Sequence, residues 1–370
     1  MNTEPEFRRD PVTGRWVVIA PERAARPIAL ADYAPRHRAR DESRPCPFCP
    51  GAESETPNEV YAVRDAHTAP NTPGWRLRVV PNMYPAVRPN ATAAPPDVTP
   101  GPARGSQDEG GEGQRPPRGA PNEFPLFNAA PAVGFAEVLI ECAEHIDDPT
   151  RLDDEHLADV FVAYRERMLA LTRDPRLAHV AVFKNVGAEA GASLAHSHSQ
   201  IIATPIVPEL VRAELTGAEA YHARCGRCVF CDLIERELVD RSRVVARSEN
   251  FVVVTAFAPR FAYEMCVLPV AHAARYESLS DPDATELAVL LKRVLRALDA
   301  VQNAPAYNWF LHTTPLHAGE PEHYHWHFEV LPRTARPAGF EWGYGCHITT
   351  VAPERAAEEL RAALEPEAAR

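Results

Sequence analysis

Apolar residues recur at three- and four-residue spacing in two stretches of the chain. Leu157, Val160, Phe161, Tyr164 and Met168 predict a helix over roughly 152–173. Leu287, Leu290, Leu291, Val294, Leu295 and Leu298 predict a second over roughly 283–302. A short apolar run follows each, Val180–Phe183 and Asn308–Leu311, and reads as a strand. Before each helix lie two further runs broken by a proline-marked turn, 78–85 then 135–145, and 252–259 then 263–272. After each helix and strand comes a histidine-bearing segment, His196-Ser197-His198-Ser199-Gln200 and His325-Trp326-His327-Phe328-Glu329. Side chains at i and i+2 on a strand share a face, so His196, His198 and Gln200 are expected to project together. The stretch Pro353–Leu364 predicts an amphipathic helix with a proline start. The order of elements implies an α+β fold of two similar halves, each an antiparallel sheet with a helix on one face, joined into one sheet core.

The two halves also repeat a chemistry. Cys46-Pro47-Phe48-Cys49 opens the first and Cys228-Val229-Phe230-Cys231 the second. A single CxxC pair fits a redox dithiol or a metal site. Here each pair is followed by two histidines at nearly equal spacing, 51 positions from His145 to His196 and 53 from His272 to His325. That gives two Cys₂His₂ sets, Cys46, Cys49, His145, His196 and Cys228, Cys231, His272, His325. Four ligands leave zinc no open position, so both sites read as structural. Cys142, Cys266 and Cys346 read as small buried apolar residues. His312, His317 and His323 read as polar loop or strand-end residues.

Composition narrows the partners. With 370 residues the chain suits two domains, drawn at 1–215 and 216–370. A net charge of −12 argues against nonspecific nucleic-acid binding. No apolar run approaches a membrane span, and the first residues lack a signal pattern, so a cytoplasmic protein without membrane partners is expected. The segment 88–125, rich in Pro and Gly, reads as a disordered insertion. The Gly187–Ser193 run before the histidines suits close approach of backbone amides to an anion. A histidine beside such amides can attack phosphorus and carry a nucleotidyl group.

These residues resemble the galactose-1-phosphate uridylyltransferase family of the histidine-triad superfamily. The opening Arg8–Arg23 and the later Gly339-Phe340-Glu341 are similar to that family as well. The resemblance implies two histidine-triad-like halves related by internal duplication, and a homodimer. It implies a uridylyl transfer between UDP-glucose and a hexose 1-phosphate through a covalent intermediate on His198. By the same resemblance, His196 points into the first zinc site and Gln200 contacts the phosphoryl oxygens. Ser193 holds the second phosphate, Asn82 and Asn185 contact the nucleotide, and Gly339, Phe340 and Glu341 contact the sugar. The best-known members carry HPHGQ with Cys before Ser. HSHSQ with Ala192 before Ser193 looks more like the branch that includes ADP-glucose phosphorylase. Adenylyl transfer to phosphate is therefore the alternative, with a nucleotide hydrolase and a noncatalytic binding module as further classes. In the second half Glu329 stands where Gln200 stands in the first, and a carboxylate facing a phosphate is unfavourable. That half is expected to be structural.

Overall fold

The computed structural model describes residues 4–25, 45–89 and 129–364. Most of the expected insertion, 90–125, lies outside them. The elements run β1 (Glu6–Arg9), β2 (Trp16–Ile19), β3 (Tyr61–Arg64), β4 (Trp75–Pro81), β5 (Phe135–Ile140), α1 (Asp154–Leu171), β6 (His179–Val186) and β7 (His198–Thr204). They continue with α2 (Glu209–Cys225), α3 (Val229–Asp240), β8 (Val244–Arg247), β9 (Phe251–Thr255), β10 (Met265–Pro269) and α4 (Asp281–Gln302). The chain closes with β11 (Tyr307–His312), β12 (His327–Pro332), α5 (Gly339–Tyr344), β13 (His347–Thr349) and α6 (Pro353–Ala363).

Ten strands form one antiparallel sheet in the order β3-β4-β5-β7-β6-β11-β12-β10-β9-β8. Read outward from the β6–β11 contact, each half places its strands in the same succession. The α+β expectation of two similar antiparallel halves in one sheet therefore matches the architecture. A small second sheet, β1-β2-β13, joins the N-terminal segment to the C-terminal one. The boundary expected between 215 and 216 falls inside α2. No helix among the described residues is long and apolar enough to cross a membrane.

Local chemistry starts and stops the two long helices close to where periodicity places them. Asp153 caps α1 by accepting from the His156 amide, and Ser280 caps α4 by accepting from Asp283. Asn303, in the left-handed region at φ 54°, ends α4. The apolar stripes of both helices are buried against one face of the sheet, in a core that includes Leu139, Val182, Ile201, Trp309 and Phe328. Helices α2 and α3, which periodicity did not single out, cover the other face of the second half around Val252, Val254 and Leu268.

Between α1 and the central strands lies a buried ionic knot. Lys184 Nζ donates to Glu141 Oε2 at 2.6 Å, to Ser197 Oγ at 2.9 Å and to the His198 carbonyl at 3.1 Å. Ser197 and Ser199 both donate to the Glu141 carboxylate, and Tyr164 shares a hydrogen bond with Ser199. Glu141 and Lys184 are at most 1 % exposed. Burial alone would raise the Glu141 carboxyl, but Lys184 and the two serines outweigh it and hold its pKa below the ordinary value. Lys184→Met should strand that carboxylate and cost about 3–5 kcal/mol in urea unfolding, whereas Lys184→Met with Glu141→Gln should recover part of the loss. The Glu141 contribution should be complete above its unfolded pKa of about 4.3 and disappear as pH falls through the lower folded value. A single variant within about 1 kcal/mol of the parent would show that the knot is not structural.

Candidate active site

Two metal-ligand clusters assemble from the repeated Cys and His residues. In the first, Cys46 Sγ lies 3.6 Å from His196 Nδ1, and Cys49 Sγ lies 3.3 Å from His145 Nδ1 and 3.7 Å from His196 Nδ1. In the second, Cys231 Sγ lies 3.3 Å from His272 Nδ1 and 3.8 Å from His325 Nδ1. Bond lengths of about 2.3 Å to sulfur and 2.0 Å to nitrogen at a tetrahedral angle give an S···N edge of about 3.5 Å. Both clusters fit that edge. The outer nitrogens fit as well. His196 Nε2 donates to the Cys142 carbonyl at 2.8 Å, and His325 Nε2 to the Pro269 carbonyl at 2.9 Å, leaving each Nδ1 lone pair toward the thiols. Burial lowers the His196 pKa to about 4, which keeps the ring neutral as a ligand must be. The four residues of each set offer donor atoms within 4.8 Å of one another. The two CxxC segments sit on different backbones, Cys46 and Cys49 in turns, Cys228 capping α3 with Cys231 in its first turn. Cys225 ends α2 on the surface and joins neither set.

His196 lies just outside the strand expected to hold it but still borders the same cavity as His198. Strand β7 begins at His198, and His196 and Ser197 lie in the bend before it. The bend lets His196 turn to the cysteines while its carbonyl accepts from His198 Nδ1 at 2.7 Å. That bond places the proton of neutral His198 on Nδ1 and leaves Nε2 as the lone-pair nitrogen. Burial lowers the pKa of His198, with the hydrogen bond to His196 opposing it. Phe48, inside the first CxxC, packs edge-on against both rings, 6.0 Å from His196 and 5.4 Å from His198 between centroids.

A cavity of roughly 110 Å³ opens beside His198. Its lining includes Asn185, Gly187, Ser193, His196 and His198. Gly187 and Gly191, at φ 85° and 90°, make the turns that fold this loop over the strand. Asn185, Ser193 and His198 thus come together as expected. Gln200 follows on the His198 face of β7 but does not line the cavity. Asn82 lies just beyond β4 and accepts from the Tyr84 amide at 2.9 Å. Gly339, Phe340 and Glu341 form the start of α5 and do not line this cavity; Glu341 caps α5 by accepting from the Ala338 amide at 2.8 Å.

The second half repeats the framework with a different centre. His327 Nδ1 donates to the His325 carbonyl at 3.1 Å, and Phe230 packs 5.1 Å from the His327 ring. Its Nε2, however, faces Glu214 of α2 at 4.0 Å. Glu214 also accepts from His312 Nδ1 at 2.9 Å and from Tyr324 at 2.8 Å. Glu329 is tied to Arg260 at 2.5 Å. His312 ends β11, as expected of a strand-end histidine, and is also a buried partner of Glu214. Burial opposes its charge, but Glu214 and Glu329 push its pKa up to about 9. Glu214, His312, His327 and Glu329 form a third group able to hold a metal ion. Sequence reading missed it because Glu214 comes from a helix with no recognisable motif. Cys266 and Cys346 are partly exposed, unlike Cys142.

A histidine with its Nε2 lone pair toward a cavity beside a glycine-turned loop can attack phosphorus and carry a group on it. The chain belongs to the galactose-1-phosphate uridyl transferase family and is a nucleotidyltransferase. The N-terminal domain of that family matches residues 77–208 and the C-terminal domain residues 214–367. Its relatives include the ADP-glucose phosphorylase of Arabidopsis thaliana, 33 % identical over 97 % of this chain and 93 % of that protein. They also include the galactose-1-phosphate uridylyltransferase of Haemophilus influenzae, 26 % identical over 98 % and 95 %. The crystal structure of an Arabidopsis thaliana ADP-glucose phosphorylase with bound ADP-glucose is similar with a TM-score of 0.78 at 32 % identity, covering 97 % of this chain and 98 % of that one.

Protein purified without chelator should carry tightly bound zinc, near two per chain if both cysteine sites are filled. Cys49→Ser and Cys231→Ser should each lower the zinc count and the melting temperature, since a closed site contributes folding energy. Folded, metal-free protein with an unchanged melting temperature would contradict both assignments.

Proposed function

We propose that this chain transfers a nucleotidyl group through His198, and that the first substrates to consider are ADP-glucose and inorganic phosphate. The free Nε2 of His198 beside the Gly187–Ser193 loop carries the reading. The choice of adenylyl over uridylyl rests on the higher identity to the phosphorylase relative. In this scheme Nε2 attacks the α-phosphorus of the nucleotide sugar and the bond from that phosphorus to the bridging oxygen breaks. Glucose 1-phosphate leaves with the electron pair. An oxygen of inorganic phosphate then attacks the same phosphorus, the P–N bond breaks, ADP departs and His198 returns. Asn185 and the loop amides supply donors to the phosphoryl oxygens, Ser193 holds the second phosphate, and Gln200 reaches the oxygens from the same face of β7. Residues 1–215 carry the chemistry and 216–370 support it. Zinc held by the two cysteine sites would supply rigidity rather than a reacting position.

Asn82 has its side-chain oxygen in a local turn. Its amide nitrogen is the group that contacts nucleotide in this reading. Residues 339–341 reach substrate as part of a homodimer. Phe340, Trp342 and Tyr344 on and after that segment are 44 %, 79 % and 81 % exposed, which supports a protein partner there. The second reading is uridylyl transfer between UDP-glucose and galactose 1-phosphate, favoured by the family to which the chain belongs.

Intact-mass analysis after separate incubation with ADP-glucose and UDP-glucose distinguishes them. ADP-glucose should give the adenylyl adduct, lost in His198→Ala and retained in His327→Ala. A uridylyl adduct alone would move the assignment to the second reading. No adduct with either sugar nucleotide, in folded protein, would remove the covalent mechanism.

A further inference from the structure

The second half reaches into the site of the first through one side chain. Asn308 of β11 lies opposite Asn185 of β6 in the ladder that joins the halves, and it is 2 % exposed. Arg333 Nε donates to Asn308 Oδ1 at 2.7 Å. Asn308 Nδ2 donates to Asn185 Oδ1 at 2.7 Å and to the Ala190 carbonyl at 2.9 Å.

The chemistry of the partners forces each amide to one orientation. A guanidinium only donates, so it must meet the oxygen of Asn308. A backbone carbonyl only accepts, so Ala190 must meet the nitrogen. The Asn185 atom beside that nitrogen is then its oxygen. Its own Nδ2 is left facing the loop, where a Cβ added at Gly191 would stand 3.8 Å from it. Asn185 lines the cavity with Ser193 and His198. The Arg333 guanidinium, set 5.3 Å over the Phe261 ring, anchors the far end of the relay. The Ala190 contact at the same time ties down the loop between its two glycine turns.

We propose that Arg333 and Asn308 are positioning residues, contributed by the second half, that fix Asn185 as a hydrogen-bond donor toward the phosphate transferred to His198. The role rests on the reading of His198 as the nucleotidyl carrier. The two ends of an asparagine amide are nearly the same size, so sterics alone would not hold Asn185 one way round. Turned over, it would aim a carbonyl oxygen at a phosphoryl oxygen. The lost donor alone is worth on the order of 100-fold in rate at an oxyanion site.

Rapid-quench intact mass of adduct formation, with ADP-glucose and UDP-glucose as probes, tests this in the zinc-loaded full chain. Asn308→Asp keeps the shape and still accepts from Arg333, but cannot donate. Asn185 should then turn its nitrogen to the new carboxylate, and adduct formation should slow by roughly 100-fold. Asn308→Ala frees Asn185 without reversing it, so it should slow the step less while lowering the melting temperature more. A purely structural role would give the opposite ranking. Arg333→Met leaves Asn308 in place and should slow the step by about 10-fold, the range of one hydrogen bond to a charged group. In an Asn185→Ala background each of these changes should alter the rate by less than about twofold, because coupled residues are not additive. Adduct formation within twofold of the parent in Asn308→Asp, or full additivity with Asn185→Ala, overturns the positioning role. Parent protein that forms no adduct with either sugar nucleotide overturns the reading of His198 instead.

Discussion

The hydrogen bond from His198 Nδ1 to the carbonyl of His196 sets the site's chemistry. It gives two imidazoles two residues apart opposite polarities. His196 spends Nε2 on a backbone carbonyl and offers Nδ1 to the thiols. His198 spends Nδ1 and offers Nε2 to the cavity. Neither ring can exchange roles without breaking a buried hydrogen bond, at a cost of about 1–3 kcal/mol for the group left unpaired. The cysteine cluster fixes the ring of His196, hence its carbonyl, hence the tautomer of His198.

Beneath this pair, the Glu141–Lys184 knot holds Ser197, His198 and Ser199. Lys184 grips the His198 carbonyl and Ser197, and Glu141 grips Ser197 and Ser199. The two serines of HSHSQ are thus anchors for the strand, and Ser197 and Lys184 also border the cavity. The second half keeps the backbone and cysteine framework but fills the cavity side differently. Glu214 stands against His327 Nε2, and Arg260 neutralises Glu329. A lone-pair nitrogen facing a carboxylate offers a phosphate no approach, which agrees with the sequence argument from Glu329.

Much of this was legible in the sequence because the relevant signals are local or repeated. Helices α1 and α4, the ladder strands other than the edge strands β3 and β8, and both cysteine–histidine sets follow from periodicity and from spacing shared between the halves. What was not legible comes from residues joined only by folding. Glu141 and Lys184 are ordinary charged residues until strand pairing buries them together. Glu214 and His312 are 98 positions apart and meet because α2 covers the second half. Asn308 and Arg333 have no motif, and their role appears only in the ladder between halves. Alternation also put His196 on the strand, whereas β7 begins at His198, although both rings still face Phe48 and the cavity. The resemblance places Gly339, Phe340 and Glu341 at a sugar across a dimer interface; within one chain they form the start of α5 and do not line the cavity.

The central claim is the fixed tautomer of His198, and histidine ¹⁵N NMR reads it directly. Long-range ¹H–¹⁵N correlation of zinc-loaded protein labelled in histidine, assigned by comparison with His198→Gln, reports which nitrogen of each ring bears the proton. The account requires neutral His198 protonated at Nδ1, with an unprotonated Nε2 that becomes the phosphorus-bearing nitrogen once substrate is added. A His198 ring protonated at Nε2, or phosphorus bonded at Nδ1, would contradict it.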